Sequence, residues 1–209
     1  MLVTGLSRLV NFDRHPLNMS SYTGFCRRIL NRQGFLLLPG FINEVVLGAF
    51  ETEAQGNREN NITLGFPIPA DSLARQLFWN DQFKTFLSSA VSATDLQLEA
   101  YFSGIHYCHA DKSGLVESCF SASGFSICLM IRESASGAQL DIAEKAMDKT
   151  IQDHSSVISD NEFHHEPQIR QLKMSAGTLF LRNNYEVSCQ FTQIQDDADC
   201  IFLTRPIKS

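Results

Sequence analysis

Apolar side chains recur at helical spacing through the first part of the chain, up to about residue 95. The first such segment spans residues 22–33 and follows Ser20 and Ser21, either of which can cap the start of a helix. Gly34 is expected to end this helix, because glycine readily adopts the left-handed conformation. The predicted inward face of this helix consists of Phe25, Ile29 and Leu30.

A short buried strand is predicted next, in the segment FLLLPGF, where the pair Pro39-Gly40 stops it. Two further helices are predicted, one over INEVVLGAFETEAQ and one over ADSLARQLFWNDQFKTFLSSAVSA, with a polar, turn-rich loop between them. The predicted inward positions of these two helices are Val45, Val46, Ala49, Phe50, Leu73, Leu77, Phe78, Phe83 and Leu87. The first half of the chain is therefore predicted to be largely helical.

From Asp95 onward, helical spacing gives way to alternation of apolar and polar residues, which is typical of strands. The predicted strands are LQLEAYFSGIHY, FSICLMI, GAQLDIA, PQIRQLKM, TLFLRNN, EVSCQFTQI and ADCIFLT. Helices followed by an all-β half indicate an α+β fold, in which N-terminal helices pack against a jelly roll or cupin-like double-stranded β-helix. We expect one domain over residues 1–209, with about 1–95 as helical support and about 96–209 as the jelly-roll core.

The segment FSICLMI is the most continuous apolar run among these strands. Side chains alternate between the two faces of a strand, so the segment should present two different sets of residues. One predicted face carries Phe125, Ile127, Leu129 and Ile131, and the other carries Ser126, Cys128 and Met130. Because both sets are largely apolar, we expect both faces of this strand to be covered.

The composition is that of a globular protein: 209 residues, 44% hydrophobic and 19% charged, with a formal net charge of −6. An acidic chain lacks the basic face that non-specific nucleic-acid binding needs. No apolar run approaches the roughly 18 residues of a membrane span, and the first residues lack the clean apolar core of a signal peptide. Six cysteines without a CxxC pair predict reduced thiols and a cytoplasmic location.

The order of the segments resembles that of the iron- and 2-oxoglutarate-dependent oxygenases. RQGFLLLPGFI resembles the opening helix–strand unit of this family. EAYFSGIHYCHADKSGLVESCFSASGFSICLMIRESASGAQLDI resembles its central segment, where a His-Phe-Asp triplet precedes an apolar strand and a Gly-Gly pair. PQIRQLKMSAGTLFLRNNYEVSCQFTQI resembles its closing segment, where a turn and a strand lead to His-Arg-Val-Thr-Pro-Val.

The resemblance implies that the metal site of this chain is degenerate. In the family, two histidines and one carboxylate bind Fe(II) and leave positions open for 2-oxoglutarate and oxygen. At the matching positions this chain has Cys119, Ser121 and Cys189. The segment QDDADCIFLT, where the family has an Arg for 2-oxoglutarate, has three Asp and no Arg, and Arg205 lies further on. No cofactor is therefore expected, and Tyr107 and Tyr185 are candidate acid–base groups beside the three positions.

A second alignment keeps an active metal site. His109 and Asp111 form a literal His-x-Asp triplet, and Cys189 would then be an unusual third ligand for Fe(II) beside 2-oxoglutarate. Three function classes follow from these alternatives. The first is a small-molecule enzyme, of the biosynthetic tailoring kind, that performs iron-independent, redox-neutral chemistry in a retained barrel pocket. The second is a non-catalytic scaffold that pairs with itself or with an active relative, and the third is an Fe(II)/2-oxoglutarate dioxygenase.

We predict that Cys119 and Cys189 lie side by side, because the resemblance assigns both to the same ion. Metal bonds to N or S are about 2.0–2.3 Å long, so the two Cα atoms should fall near, or slightly beyond, the roughly 4.4–6.8 Å that a disulfide requires. Ser121 should face the same cavity, since it is two strand positions from Cys119. An experimental structure tests this, and sulfur atoms separated by more than about twice that window would contradict the alignment.

Overall fold

The structure is a computed structural model that describes residues 5–58, 66–67, 71–91, 105–110, 125–132, 138–144, 170–183, 186–192 and 198–203. The helices in these ranges are α1 (Gly5–Leu9), α2 (Ser20–Gln33), α3 (Glu44–Arg58), α4 (Leu73–Phe78) and α5 (Asp81–Val91). The strands are β1 (Phe35–Leu38), β2 (Phe66–Pro67), β3 (Ile105–Ala110), β4 (Phe125–Arg132), β5 (Ala138–Glu144), β6 (Arg170–Met174), β7 (Leu179–Asn183), β8 (Val187–Thr192) and β9 (Ala198–Leu203). Within the described part of the chain, no helix is long and apolar enough to cross a membrane.

The strands form two antiparallel sheets. One has six strands in the order β1-β7-β4-β9-β3-β2, and the other has three strands in the order β6-β5-β8. From β4 onward the chain passes repeatedly from one sheet to the other, so that β4 pairs with β7 and β9 rather than with β5. The predicted α+β class with antiparallel sheets is confirmed, and the extent of the domain stays a prediction.

The predicted strands agree closely with the observed ones from β4 to β9. The first predicted strand overlaps β3 only at its end, and residues 96–104 lie outside the described part. Two short elements, α1 and β2, were not predicted. The second of them consists of Phe66 and Pro67, inside the stretch predicted as a polar loop, and it pairs with β3.

Both faces of β4 are buried, as its apolar run predicts. Ile127, Leu129 and Ile131 belong to one hydrophobic cluster with residues of the helices and of β7. Ser126, Cys128 and Met130 alternate with them and are each 1% exposed or less. We call the face that carries these three the inner face of the six-stranded sheet, since it is the face turned away from the helix cluster. The other members of the helix-side cluster include Leu36, Leu38, Phe50, Phe78, Phe83, Phe86, Leu179 and Leu181.

The predicted inward face of α2 is wrong in one position, and its cap is wrong as well. Phe25 is 52% exposed, whereas Thr23, Cys26 and Leu30 are the buried residues of this helix. The helix starts at Ser20 after Met19, which makes no side-chain cap. The three buried residues are spaced three and four positions apart and therefore lie on one side of the helix. This is the side that meets α5 and β1.

The third predicted helix is in fact two helices, α4 and α5, separated by Trp79 and Asn80. The Ser72 hydroxyl accepts the backbone N–H of Arg75 at 3.0 Å and caps α4. The Asn80 side chain accepts the backbone N–H of Gln82 at 2.9 Å, which starts the next helix. A cap residue inside an otherwise periodic segment is the sequence signal for this break. The predicted core positions Leu77, Phe78, Phe83 and Leu87 are all buried.

A buried hydrogen-bonded chain joins the loop after α1 to α2 and to the end of β1. His15 is 7% exposed, and its Nε2 donates to the Pro39 carbonyl at 3.0 Å. Its Nδ1 therefore accepts from the Tyr22 hydroxyl at 2.6 Å, and the Cys26 thiol is hydrogen-bonded to that hydroxyl. Burial lowers the pKa of His15 and raises the pKa of both Tyr22 and Cys26. The three side chains are thus held neutral.

We predict that His15 makes the folded state less stable at acidic pH. Because its folded pKa lies below the ordinary value of 6.5, its stabilisation is fully present above pH 6.5 and is lost as pH falls through the folded pKa. The loss can reach about 1.4 kcal/mol per pH unit for one proton. Urea unfolding at a series of pH values measures it, and His15→Gln should flatten the profile. An unchanged profile in that variant would assign the pH dependence to other groups.

The two ends of the α3 apolar face differ in a way that mutation can measure. Phe50 is fully buried in the helix-side cluster, whereas Val45 is 88% exposed and its predicted inward position is wrong. Ala49 is also exposed. We predict that Phe50→Ala lowers the free energy of unfolding by about 3–5 kcal/mol through loss of buried area and cavity formation. The matched control Val45→Ala should change it by less than about 0.5 kcal/mol, as chemical denaturation can measure.

Candidate functional site

The starts of β1 and β4 and the end of β7 lie together at one end of the six-stranded sheet. At this end Arg182 pairs with Phe35 on one side and with Ser126 on the other. The start of β8 is also here, because Val187 lies against Gly34, with its Cγ1 2.8 Å from where a Cβ on that glycine would be. Gly34 has a φ of 73°, so both its conformation and this close approach require glycine. We call this region the Arg182 end.

Cys189, at the predicted second-histidine position, is on β8 at the Arg182 end. It is two residues from the buried Val187 and pairs with Ile142 of β5, which is 2% exposed. Its register position is therefore beside two buried apolar side chains of the smaller sheet. The resemblance placed this cysteine near the start of a closing strand, and the strand is found there.

The other two positions of the predicted triad cannot be located in the same way. Cys119, Ser121, Asp111 and Tyr185 lie outside the described residues. The proximity of Cys119 to Cys189 and the roles of Ser121 and Tyr185 therefore stay predictions.

The runner-up ligand His109 is at the opposite end of the six-stranded sheet. It pairs with Asp199 on β9, which in turn pairs with Arg132 on β4. Ser126 and Arg132 are six residues apart along β4, about 20 Å at roughly 3.3 Å per residue. Tyr107 is closer to the middle of the sheet, paired with Ile201. The register thus separates His109 from the Arg182 end by most of the length of a strand.

Arg182 is a buried charged side chain that the sequence analysis did not single out. It is 2% exposed, and it alternates with Leu181, which faces the helix cluster, so it lies on the inner face. Ser126, beside it on β4, is 1% exposed. The available signal was an Arg inside the apolar run TLFLRNN, because a charged residue at an inward strand position is seldom tolerated without a partner or a function.

Four buried side chains of the described residues lie at or next to the Arg182 end. Ser126, Arg182, Ile142 and Val187 supply one guanidinium, one hydroxyl and two apolar groups, but no imidazole or carboxylate. The Glu186 carboxylate, in the turn before β8, lies against Gly34. Among the described residues, no group of three His, Cys, Asp or Glu side chains could hold a metal ion. A buried guanidinium repels a divalent cation and attracts an anion.

Comparisons with known proteins identify the fold. No family model matches the chain, and no curated protein matches it in sequence. A Pseudomonas putida prolyl-4-hydroxylase matches with a TM-score of 0.55 and 14% identity over 88% of this chain and 94% of that one. The epimerase SnoN from nogalamycin biosynthesis, described as non-haem and α-ketoglutarate-dependent, matches with a TM-score of 0.53 and 8% identity over 90% and 87% of the two chains.

A third similar structure is HygX from Streptomyces hygroscopicus, with nickel and 2-oxoglutarate bound. It matches with a TM-score of 0.54 and 10% identity, over 84% of this chain and 82% of that chain. At such low identity the three matches show the fold, and they give no information on the residues of the site. The chain therefore has the fold of the Fe(II)/2-oxoglutarate-dependent oxygenases, the double-stranded β-helix that its sequence resemblance implied.

Proposed function

We propose that this chain is a small-molecule enzyme that uses the oxygenase fold without iron for a redox-neutral step, such as an isomerisation, a cyclisation or an elimination. The sequence resemblance assigns the family's ligand positions to Cys119, Ser121 and Cys189. The observation that supports the proposal is the buried cation Arg182, which lies at the end of the six-stranded sheet near which β8, the strand of Cys189, begins.

Physical chemistry argues against ordinary oxygenase turnover at such a site. A neutral hydroxyl is a weak ligand for Fe(II) compared with a carboxylate. The positive charge of Arg182 opposes a second positive charge nearby. At the position of the family's 2-oxoglutarate Arg, the segment contains Asp196, Asp197 and Asp199, which repel a dicarboxylate.

The same side chains suit proton transfer. A thiol is a candidate general base once it is a thiolate, and the proposal gives this role to Cys189. In an isomerisation, Cys189 would remove a proton from one carbon of the ligand, and the proton would return at another position. Tyr107 and Tyr185 are the proposed acid–base partners, and neither electrons nor a co-substrate are consumed. SnoN, whose name describes it as an epimerase, indicates that this fold can serve outcomes other than hydroxylation.

An Fe(II)/2-oxoglutarate oxygenase that uses His109 and Asp111 is the second candidate. The similar structures favour it, because they include a complex with nickel and 2-oxoglutarate. The strand register weighs against it, because His109 pairs with Asp199 at the sheet end opposite Arg182, whereas Cys189 is on β8 of the other sheet, which begins near the Arg182 end. A common ion for His109 and Cys189 would have to bridge that separation.

We predict that anaerobic titration of the chelator-free protein with Fe(II) and 2-oxoglutarate produces no charge-transfer absorption band. Succinate should not form when oxygen is admitted. The matched variant Cys119→His/Ser121→Asp/Cys189→His rebuilds the family's ligand set and should gain Fe(II) affinity measurable by the same titration. These outcomes follow from the missing imidazole and carboxylate ligands.

A band or succinate formation with the natural chain would refute the proposal. Loss of that signal in His109→Ala and Asp111→Ala, with Cys119→Ala unaffected, would assign the activity to the second candidate.

A further inference from the structure

Helix α2 carries a concentration of positive charge on an otherwise acidic chain. Its sequence, SSYTGFCRRILNRQ, contains Arg27, Arg28 and Arg32 and no acidic residue, whereas the whole chain has a formal net charge of −6. All three arginines are exposed. In the described part of the chain, neither Arg28 nor Arg32 makes an ion pair. These two charges are therefore available to groups outside the chain.

Phe25 adds an exposed aromatic ring to the same side of the helix. Phe25, Arg28 and Arg32 follow the spacing i, i+3 and i+7, which places them along one side of α2, away from the side that meets α5 and β1. Phe25 is 52% exposed, and the Arg28 Nη1 is 3.8 Å from where a Cβ on Gly24 would be. The Arg28 guanidinium thus extends back along the helix towards Phe25. We call these three residues the α2 outer face.

We propose that the α2 outer face binds an acidic segment of a partner protein, in which two carboxylates lie beside an apolar side chain. Arg28 and Arg32 are about one helical turn apart, with roughly 5–6 Å between their Cβ atoms. Carboxylates two positions apart on an extended segment lie on the same side of it, about 6–7 Å from each other, so one segment can meet both guanidinium groups. An apolar side chain two positions from the nearer carboxylate would then lie on Phe25.

The charge distribution favours a short acidic segment over other occupants. Two-fold pairing of the α2 outer face with a second copy would bring the arginines of both copies together, which is unfavourable. Nucleic acid and an anionic membrane extend well beyond the Debye length of about 8–10 Å, so they also meet the repulsion of a chain with a net charge of −6. A short segment interacts only with the charges near α2. The inference does not depend on the chemistry proposed for the Arg182 end.

An NMR titration of the isotope-labelled full chain tests the proposal. The probe is a short synthetic peptide in which a leucine is followed by glutamates two and four positions later, in a background of glycine and serine. The control peptide has glutamines in place of the glutamates. At low salt the acidic peptide should shift the amide signals of residues 21–32 in a saturable way, and the glutamine peptide should not. Added sodium chloride should weaken the binding, because exposed charges are screened by salt.

Variants connect the binding to the α2 outer face. Arg28→Gln and Arg32→Gln should each weaken the apparent affinity by about threefold, and by about tenfold when combined, because each removes one exposed ion pair. Phe25→Ser should weaken it as well, through the loss of apolar contact. Arg27→Gln is the matched control and should leave the affinity unchanged. It removes the same charge from the same helix, but two residues correspond to about 200° around an α-helix, so Arg27 lies on the other side of α2 from Phe25.

Three results would overturn the inference. These are no saturable shift of residues 21–32 with the acidic peptide, equal binding of the glutamine peptide, and an Arg27→Gln variant that loses as much affinity as Arg28→Gln. Vesicles of anionic phospholipid and a short DNA duplex are titrated under the same conditions. If either binds more tightly than the peptide, and the Arg28→Gln/Arg32→Gln variant loses that binding, the occupant is that polyanion and the proposed acidic segment is wrong.

Discussion

The rest of the structure depends on the burial of both faces of strand β4. Ile127, Leu129 and Ile131 complete a core with the helices, while Ser126, Cys128 and Met130 are equally inaccessible on the other side. A strand of this kind needs a layer on each face. The helices supply one layer, and the return of the chain into a second sheet, with β5 and β8 paired, is the double-stranded β-helix solution for the other. The inner face carries apolar groups and also the buried guanidinium of Arg182, which interacts with other groups of the chain.

The inner face at the Arg182 end carries a positive charge, which bears on the proposed function. The fold is shared with enzymes that hold a metal dication and a dicarboxylate, but the described side chains around Arg182 provide a cation instead of metal ligands. A metal site and a guanidinium at the same end oppose each other through Coulomb repulsion. The burial of Arg182 is therefore consistent with the proposed loss of the metal site, which the resemblance assigns to Cys119, Ser121 and Cys189.

In the N-terminal half, the burial of several residues differs from what their helical spacing predicts. Phe25 and Val45 are apolar and lie at plausible helical positions, yet they are exposed, whereas Thr23 and Cys26 are buried. Helical spacing identifies which residues share one side of a helix, but it does not show which side packs against a neighbouring element. Cys26 lies on the side of α2 that meets α5 and β1, and its thiol ends a hydrogen-bonded chain that runs through Tyr22 and His15 to Pro39. Those contacts join segments distant in sequence, and local pattern carries no signal for them.

The sequence by itself determined the helical front half, the strands from β4 to β9, the two-sided burial of β4 and the resemblance to the oxygenase fold. These features depend on the alternation of neighbouring residues and on the order of segments, both of which are local properties. Only the tertiary structure decided that Arg182 is buried beside Ser126, that Cys189 shares its end of the sheets, and that His109 is at the other end. Strand order and register bring these residues together or apart, and both arise from pairings between strands far apart in the chain.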